Sequence, residues 1–134
     1  YVDEASLEQS GSGSIEAAVI VDPVEVYIRH SSSGRIRSAI WDGLNVDAVL
    51  SGSGKIELTG EADEADFTLN ASGRIDALEM MVRDVRATIS GSGRIYVYAT
   101  DYLDAIITGS GDVIYRGDPL ITYRITGSGD VRRY

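Results

Sequence analysis

The chain has 134 residues and a net charge of −9, from 12 basic and 21 acidic side chains. That length suits one domain, and the acidity disfavours a nucleic-acid partner. With no Cys and a single His, disulfides, thiol catalysis, Cys-based zinc sites and His-rich metal centres are excluded, and no apolar run approaches the ~18 residues of a membrane-spanning helix. Gly is abundant, at 15 residues against 2 Pro, which suits either a flexible linker or a backbone that needs Gly at fixed places.

From the N-terminus, residues 2–7 read as a partial coil. A Gly-Ser-Gly-like triplet then recurs, its last Gly falling at Gly13, Gly34, Gly54, Gly73, Gly93, Gly111 and Gly129, at intervals of 18 to 21 residues. With that Gly as position zero, position −1 is always Ser, from Ser12 to Ser128. Position +2 is Ile15, Ile36, Ile56, Ile75, Ile95, Val113 and Val131, always β-branched. Position −4 is aliphatic in the last five copies (Leu50, Leu69, Ile89, Ile107, Ile125). Apolar columns alternate with polar ones, the period of a strand with one buried face. Each copy therefore reads as strand, Gly-Ser-Gly bend, strand and variable corner, most clearly at residues 55–59 and 66–70. Residues 74–85 have some helical composition, but the repeat register runs straight through them, so they read as another coil. The closing Arg132, Arg133 and Tyr134 read as a polar cap.

One short strand pair cannot bury its apolar face alone, whereas stacked copies can. The expectation is an all-β parallel β-helix (β-solenoid) of about seven coils of 18–21 residues, with no substantial helix and right-handed crossovers. It forms a single β-helix domain over residues 1–134. The Gly columns then have a mechanism, since a corner repeated in every coil needs positive φ or close backbone approach. Because position zero is Gly in all seven copies, it is the expected strained position, and Gly93→Val is expected to cost more than Gly91→Ala.

The run Ser51-Gly52-Ser53-Gly54-Lys55-Ile56-Glu57-Leu58 resembles the head GIN domain family of autotransporter-adhesin-like proteins. So do Ala71-Ser72-Gly73-Arg74-Ile75-Asp76-Ala77, the stretch from Gly109 to Pro119, and Gly127-Ser128-Gly129-Asp130-Val131. The resemblance is strongest over residues 46–131. It implies a right-handed β-helix from bacteria of the Bacteroidetes type, located in the periplasm, at the outer-membrane surface or secreted. It carries over no catalytic residue, cofactor or metal. Members of the family usually have a further N-terminal β segment and a signal peptide, which this chain is expected to lack.

The outward columns hold the remaining candidates. Arg35, Lys55, Arg74 and Arg94 stack at position +1, where bare like charges repel. Glu57 and Asp76 at +3, and Asp112 in the next coil, are placed to offset them. Ser and Thr at −3 and −1 make a hydroxyl strip that suits bend chemistry better than ice or sugar binding. Arg116-Gly117-Asp118 spells an integrin-type tripeptide, but Pro119 restricts Asp118, and coincidence is the better account. Glu61, Asp63, Glu64 and Asp66 form the densest acidic run, with no opposing loop to converge them on a metal. His30 interrupts the aliphatic −4 column and reads as partly buried. Tyr residues cluster in the last third, and Tyr96, Tyr98 and Tyr102 form the candidate binding patch for a glycan or partner protein.

The leading functional expectation is a non-enzymatic, exported β-helix, a cell-surface adhesin or envelope structural protein without cofactors. The alternatives are a carbohydrate-binding or carbohydrate-processing β-helix, and a scaffold that self-assembles. Its partners would be a surface protein or glycan, or further copies of the chain meeting through the solenoid ends or sides.

Overall fold

Stacking of the repeats is what buries the apolar columns. The computed structural model describes residues 4–9, 14–21, 25–30, 34–70 and 72–134, among which there is no helix. The strands are β1 (Glu4–Gln9), β2 (Ser14–Val21), β3 (Glu25–His30), β4 (Arg35–Leu50), β5 (Lys55–Leu69), β6 (Arg74–Ile89), β7 (Arg94–Thr108), β8 (Asp112–Arg116), β9 (Leu120–Thr126) and β10 (Asp130–Arg133). All pairings are parallel. Each strand pairs with strands of the adjacent coils, in the order β1-β3-β4-β5-β6-β7-β8-β10, with β2 on β4 and β9 on β7. This is a parallel β-solenoid.

The repeat columns are the ladder register. Ile15, Ile36, Ile56, Ile75, Ile95, Val113 and Val131 pair in succession. Ile36, Ile56, Ile75, Ile95 and Val113 are fully buried, as are Leu50, Leu69, Ile89 and Ile107 of the −4 column. A third interior column runs Ile28, Ala48, Phe67, Ala87, Ala105. There the one large ring sits between two alanines, so that big and small side chains fill a fixed cross-section. Residues 74–85 belong to β6, as the register required.

Five complete turns are described: β4, β5, β6, β7 and the β8–β9 pair. Two further strands, β2 and β3, stack on the two halves of β4, while β1 and β10 contribute half-turns at the ends. The count is lower than seven because seven Gly-Ser-Gly corners bound six intervals, and the join between β2 and β3 lies outside the described residues.

The variable corners also differ from the expectation of a break between strands. In β5, β6 and β7 the strand continues across the corner, and the position is marked by two consecutive exposed residues: Asp63–Glu64, Arg83–Asp84 and Asp101–Tyr102. Register shifts such as those between Ile40 and Gly43 and between Ala77 and Met81 absorb the unequal coil lengths, as bulges do.

Of the expected corner glycines, Gly13 lies outside the described residues. For the others the reason for Gly differs from the one anticipated. Positive φ falls on Gly109 (133°) and Gly127 (129°) of the −2 column and on Gly60 and Gly117, and not on Gly54, Gly73, Gly93, Gly111 or Gly129. At Gly73, Gly111 and Gly129 of the zero column there is no room for a side chain. A Cβ on Gly111 would stand 2.6 Å from the Gly93 carbonyl oxygen and 2.6 Å from Ile89 Cγ2. Gly73 faces the same obstacle from Gly54 and Leu50. The missing Cβ also lets the next backbone donor reach across the corner, where Arg94 N–H donates to Gly73 O at 3.2 Å and Asp112 N–H to Gly93 O at 3.2 Å. Gly111→Ala is therefore expected to lower unfolding free energy in urea by about 1–3 kcal/mol. The neighbouring exposed Ser110→Ala should change it by less than about 0.5 kcal/mol.

Candidate functional site

Alternation sends every second residue of a coil outward, and the ladder then aligns those residues into columns along the solenoid axis. Two such columns, nine and seven residues before the corner Gly, line a groove of about 440 Å³. Strand β3 supplies Tyr27, β4 Asn45 and Asp47, β5 Glu64 and Asp66, β6 Asp84 and Arg86, and β7 Tyr102 and Asp104. The residues between the columns, Val46, Ala65 and Val85, are buried and form the floor. Tyr27 and Tyr102 are each 39% exposed. They stand four strand spacings apart, about 19 Å. The Tyr102 hydroxyl lies 3.2 Å from Thr122 Oγ1.

The groove is acidic. Asp47 and Asp66 are direct ladder partners. Burial, and then the charge of Asp66, raise the Asp47 pKa above its ordinary value, with Arg29 opposing. Arg86 reaches Asp104 at 3.9 Å. Among the described residues no group of three or more His, Asp or Glu is placed to hold a metal ion. Of the acidic run, Glu64 and Asp66 line this groove, Asp63 lines an adjoining depression that shares Asn45, Glu64 and Asp84 with it, and Glu61 is exposed outside both.

The three candidate tyrosines do not form one patch. Tyr96 and Tyr98 share a face of β7, and each ring is covered by a guanidinium from an adjacent coil. Arg74 stands 5.1 Å from the centroid of Tyr96, and Arg116 stands 5.1 Å from that of Tyr98. Tyr102 lies past the corner at Asp101–Tyr102 and belongs to the groove. Sequence reading missed the groove because it weighed the columns nearest the Gly corner. The signal was nonetheless present in the same alignment, as Tyr27, Asp47, Asp66, Arg86, Asp104 at position −7 and Asn45, Glu64, Asp84, Tyr102 at −9.

Of the acids expected to offset the basic column, Glu57 and Asp112 do so, whereas Asp76 accepts from the Leu78 backbone N–H at 3.4 Å and Arg74 lies over Tyr96. Glu57 accepts from Arg37 at 2.9 Å and Lys55 at 2.7 Å. The Lys55 hydrogen bond is the main reason its pKa falls below the usual value, with burial opposing and Arg37 adding to the fall. Asp112 is approached by Arg94 at 3.8 Å and Arg132 at 3.9 Å. Exposed pairs of this kind contribute ~0–1 kcal/mol each. In the Arg-Gly-Asp tripeptide, Arg116 rests on Tyr98 and Asp118 accepts from Arg133 at 2.7 Å, so both charged ends are engaged within the chain. The side chain of His30 lies outside the described residues.

Comparison with known proteins gives a consistent picture. The family model "Putative auto-transporter adhesin, head GIN domain" matches residues 2–119. A solved structure described as a "putative lipid binding protein" from Parabacteroides distasonis is 30% identical, with a TM-score of 0.78 over 98% of this chain and 61% of its own. A "putative adhesin" from Bacteroides fragilis superposes with a TM-score of 0.81 at 24% identity, over 97% of this chain and 60% of its own. One from Parabacteroides merdae gives 0.77 at 23% identity, over 99% and 52%. The chain thus spans between half and two thirds of the length of these relatives. No curated protein matches it.

The raised pKa of Asp47 fixes the sign of a pH effect. At neutral pH the native state holds Asp47 charged beside Asp66, which it disfavours relative to the unfolded chain. Asp47→Asn is therefore expected to raise the melting temperature at pH 7, by a free energy of a few tenths of a kcal/mol. The gain should shrink as pH falls through the carboxylate range, where native Asp47 takes up its proton before the unfolded chain does. Thermal melts of both proteins across that range check it.

Proposed function

The chain belongs to the head GIN domain family, and from that premise we propose a non-enzymatic recognition module of the bacterial cell envelope. In this reading it works in the periplasm, at the outer-membrane surface or as a secreted protein, and the β3–β7 groove is its contact surface for glycans. The observation that carries this reading is the groove itself. Two half-exposed tyrosine rings stand at opposite ends of a channel whose walls are Asn, Asp and Glu side chains. Aromatic faces pack against the C–H faces of sugar rings, and carboxylates and amides take up sugar hydroxyl protons. The spacing of the tyrosines, about 19 Å, suits a chain of several sugar units lying along the solenoid axis.

A non-enzymatic role follows the chemistry of the channel. A glycosidase needs two carboxyl groups facing each other across the scissile bond, one of them held protonated. Here the acids stand side by side on one sheet face. The neighbour described as a lipid-binding protein offers a different ligand class. The groove is lined by charged side chains over a small apolar floor, which fits polyhydroxylated ligands better than acyl chains.

A glycan array separates the two aromatic surfaces. Wild type is expected to bind, Tyr102→Ala to lose at least about tenfold in affinity, and Tyr96→Ala to bind as wild type. Loss on Tyr96→Ala with Tyr102→Ala unaffected would move the site to the arginine-capped face. No binding to any glycan by a folded protein would remove the reading.

A further inference from the structure

The groove between β3 and β7 carries charge of one sign in excess. Five carboxylates line it, from Asp47, Glu64, Asp66, Asp84 and Asp104, against the one guanidinium of Arg86. Arg86 is drawn to Asp104 at 3.9 Å. Two further arginines stand near. Arg29 favours the charged form of Asp47 but is outweighed by burial and by Asp66, and Arg83 is held by Asp101 at 3.2 Å. The other four carboxylates are ladder partners of one another, Asp47 with Asp66 and Glu64 with Asp84. Ladder partners stand ~4.8 Å apart, and Glu64 and Asp66, two residues apart on β5, ~6.6 Å. The result is a staggered array, with one acidic pair on each wall of the groove and one coil between them.

The opposite outward face also stacks like charges, in Lys55, Arg74 and Arg94. There the chain supplies the complement. Glu57 takes Lys55 at 2.7 Å, Asp112 approaches Arg94 at 3.8 Å, and the Tyr96 ring lies under Arg74. In the groove the same kinds of group are present, carboxylates between the half-exposed rings of Tyr27 and Tyr102, but the cations are outnumbered. The charge of a ligand therefore decides how well it fits. Sugar hydroxyls donate to carboxylates and leave the excess negative charge in place. An ammonium group donates a charge-assisted hydrogen bond and neutralises that charge, and it is also attracted to aromatic faces. A carboxylate or sulfate on the sugar adds to the like-charge crowding.

We propose that the groove selects glycans bearing free amino groups, oligomers of amino sugars in the ammonium form, and rejects uronic-acid and sulfated chains. The inference rests on the glycan reading above and adds the charge of the ligand to it. Because the two acidic pairs lie on opposite walls and one coil apart, successive units of a chain lying along the solenoid axis each bring an amino group to one of them.

Isothermal titration calorimetry with three oligosaccharides of equal length tests the proposal: oligoglucosamine, its N-acetylated counterpart and oligogalacturonate. The glucosamine oligomer is expected to bind at least about tenfold more tightly than the N-acetylated one, with a preference that narrows at high salt, and the galacturonate oligomer is expected to bind most weakly. Asp66→Asn should cut the preference for the amine several-fold while leaving the N-acetylated oligomer bound as before, which separates charge from the bulk of the acetyl group. Glu57→Gln removes the same unit of charge from the opposite face and should change neither affinity. Equal or tighter binding of the N-acetylated or galacturonate oligomer overturns the proposal and leaves the glycan reading standing. An amine preference that Glu57→Gln weakens as much as Asp66→Asn also overturns it, since attraction would then follow overall charge rather than the groove. A folded protein that binds none of the three, and nothing on the glycan array, removes both.

Discussion

Hydrogen bonds parallel to the solenoid axis are the constraint on which the rest of the molecule depends. Each coil donates to and accepts from its neighbours residue by residue, and the ladder does not stop at the Gly-Ser-Gly corner. Lys55, Arg74, Arg94, Asp112 and Asp130 each donate a backbone N–H to the corner Gly of the preceding coil. A coil that failed to return to register would leave a row of backbone groups unpaired. Corners must therefore have the same footprint in every turn. The zero-column Gly meets that demand by leaving space for the preceding carbonyl and for the aliphatic side chain beneath it. Surplus residues are pushed to the opposite corner, where bulges accommodate them.

The same constraint explains what the amino-acid sequence reveals and what it hides. Whatever is set by the identity of stacked residues is legible from the columns. The +2 and −4 ladders were readable as core, and the Lys55 and Glu57 columns as a self-compensating face. Residues 74–85 were assignable to strand against their composition, because the register crosses them. What depends on the neighbouring coil's backbone was not legible. Nothing in the sequence distinguishes Gly109, which has positive φ, from Gly111, which lacks only room. Tyr123 shares a column with buried Ala105 and is nonetheless 65% exposed. The groove was written in the sequence but sat seven and nine residues before the corner Gly, away from the motif that drew attention, and its outer column of Glu64, Asp84 and Tyr102 lies at the opposite corner.

Because interior columns are fixed by packing and corners by space, the outward columns are where this architecture is free to vary. One set is used for neutralisation, in which Arg, Lys, Asp and Glu of successive coils pair off and the tyrosines Tyr96 and Tyr98 are roofed by guanidinium groups. The other set concentrates carboxylates. Asp47 and Asp66 occupy directly paired positions despite the cost, as do Glu64 and Asp84 in the neighbouring column. The contrast between a face whose charges pair off and a groove whose five carboxylates share one Arg86 is the clearest division of labour on the surface.

The strand order also has a mechanical consequence. Strands β1 and β10 lie at opposite ends of the sheet, so tension applied between the two termini acts along the ladder and loads the outermost coil first. Turns would peel away singly rather than shear together. Each coil of about 19 residues would release on the order of 60 Å of extended chain, while the remaining coils keep their packing, as the nearest-neighbour energetics of a solenoid dictate. A module of this kind lengthens under load in discrete steps and shortens again by re-stacking on an intact template.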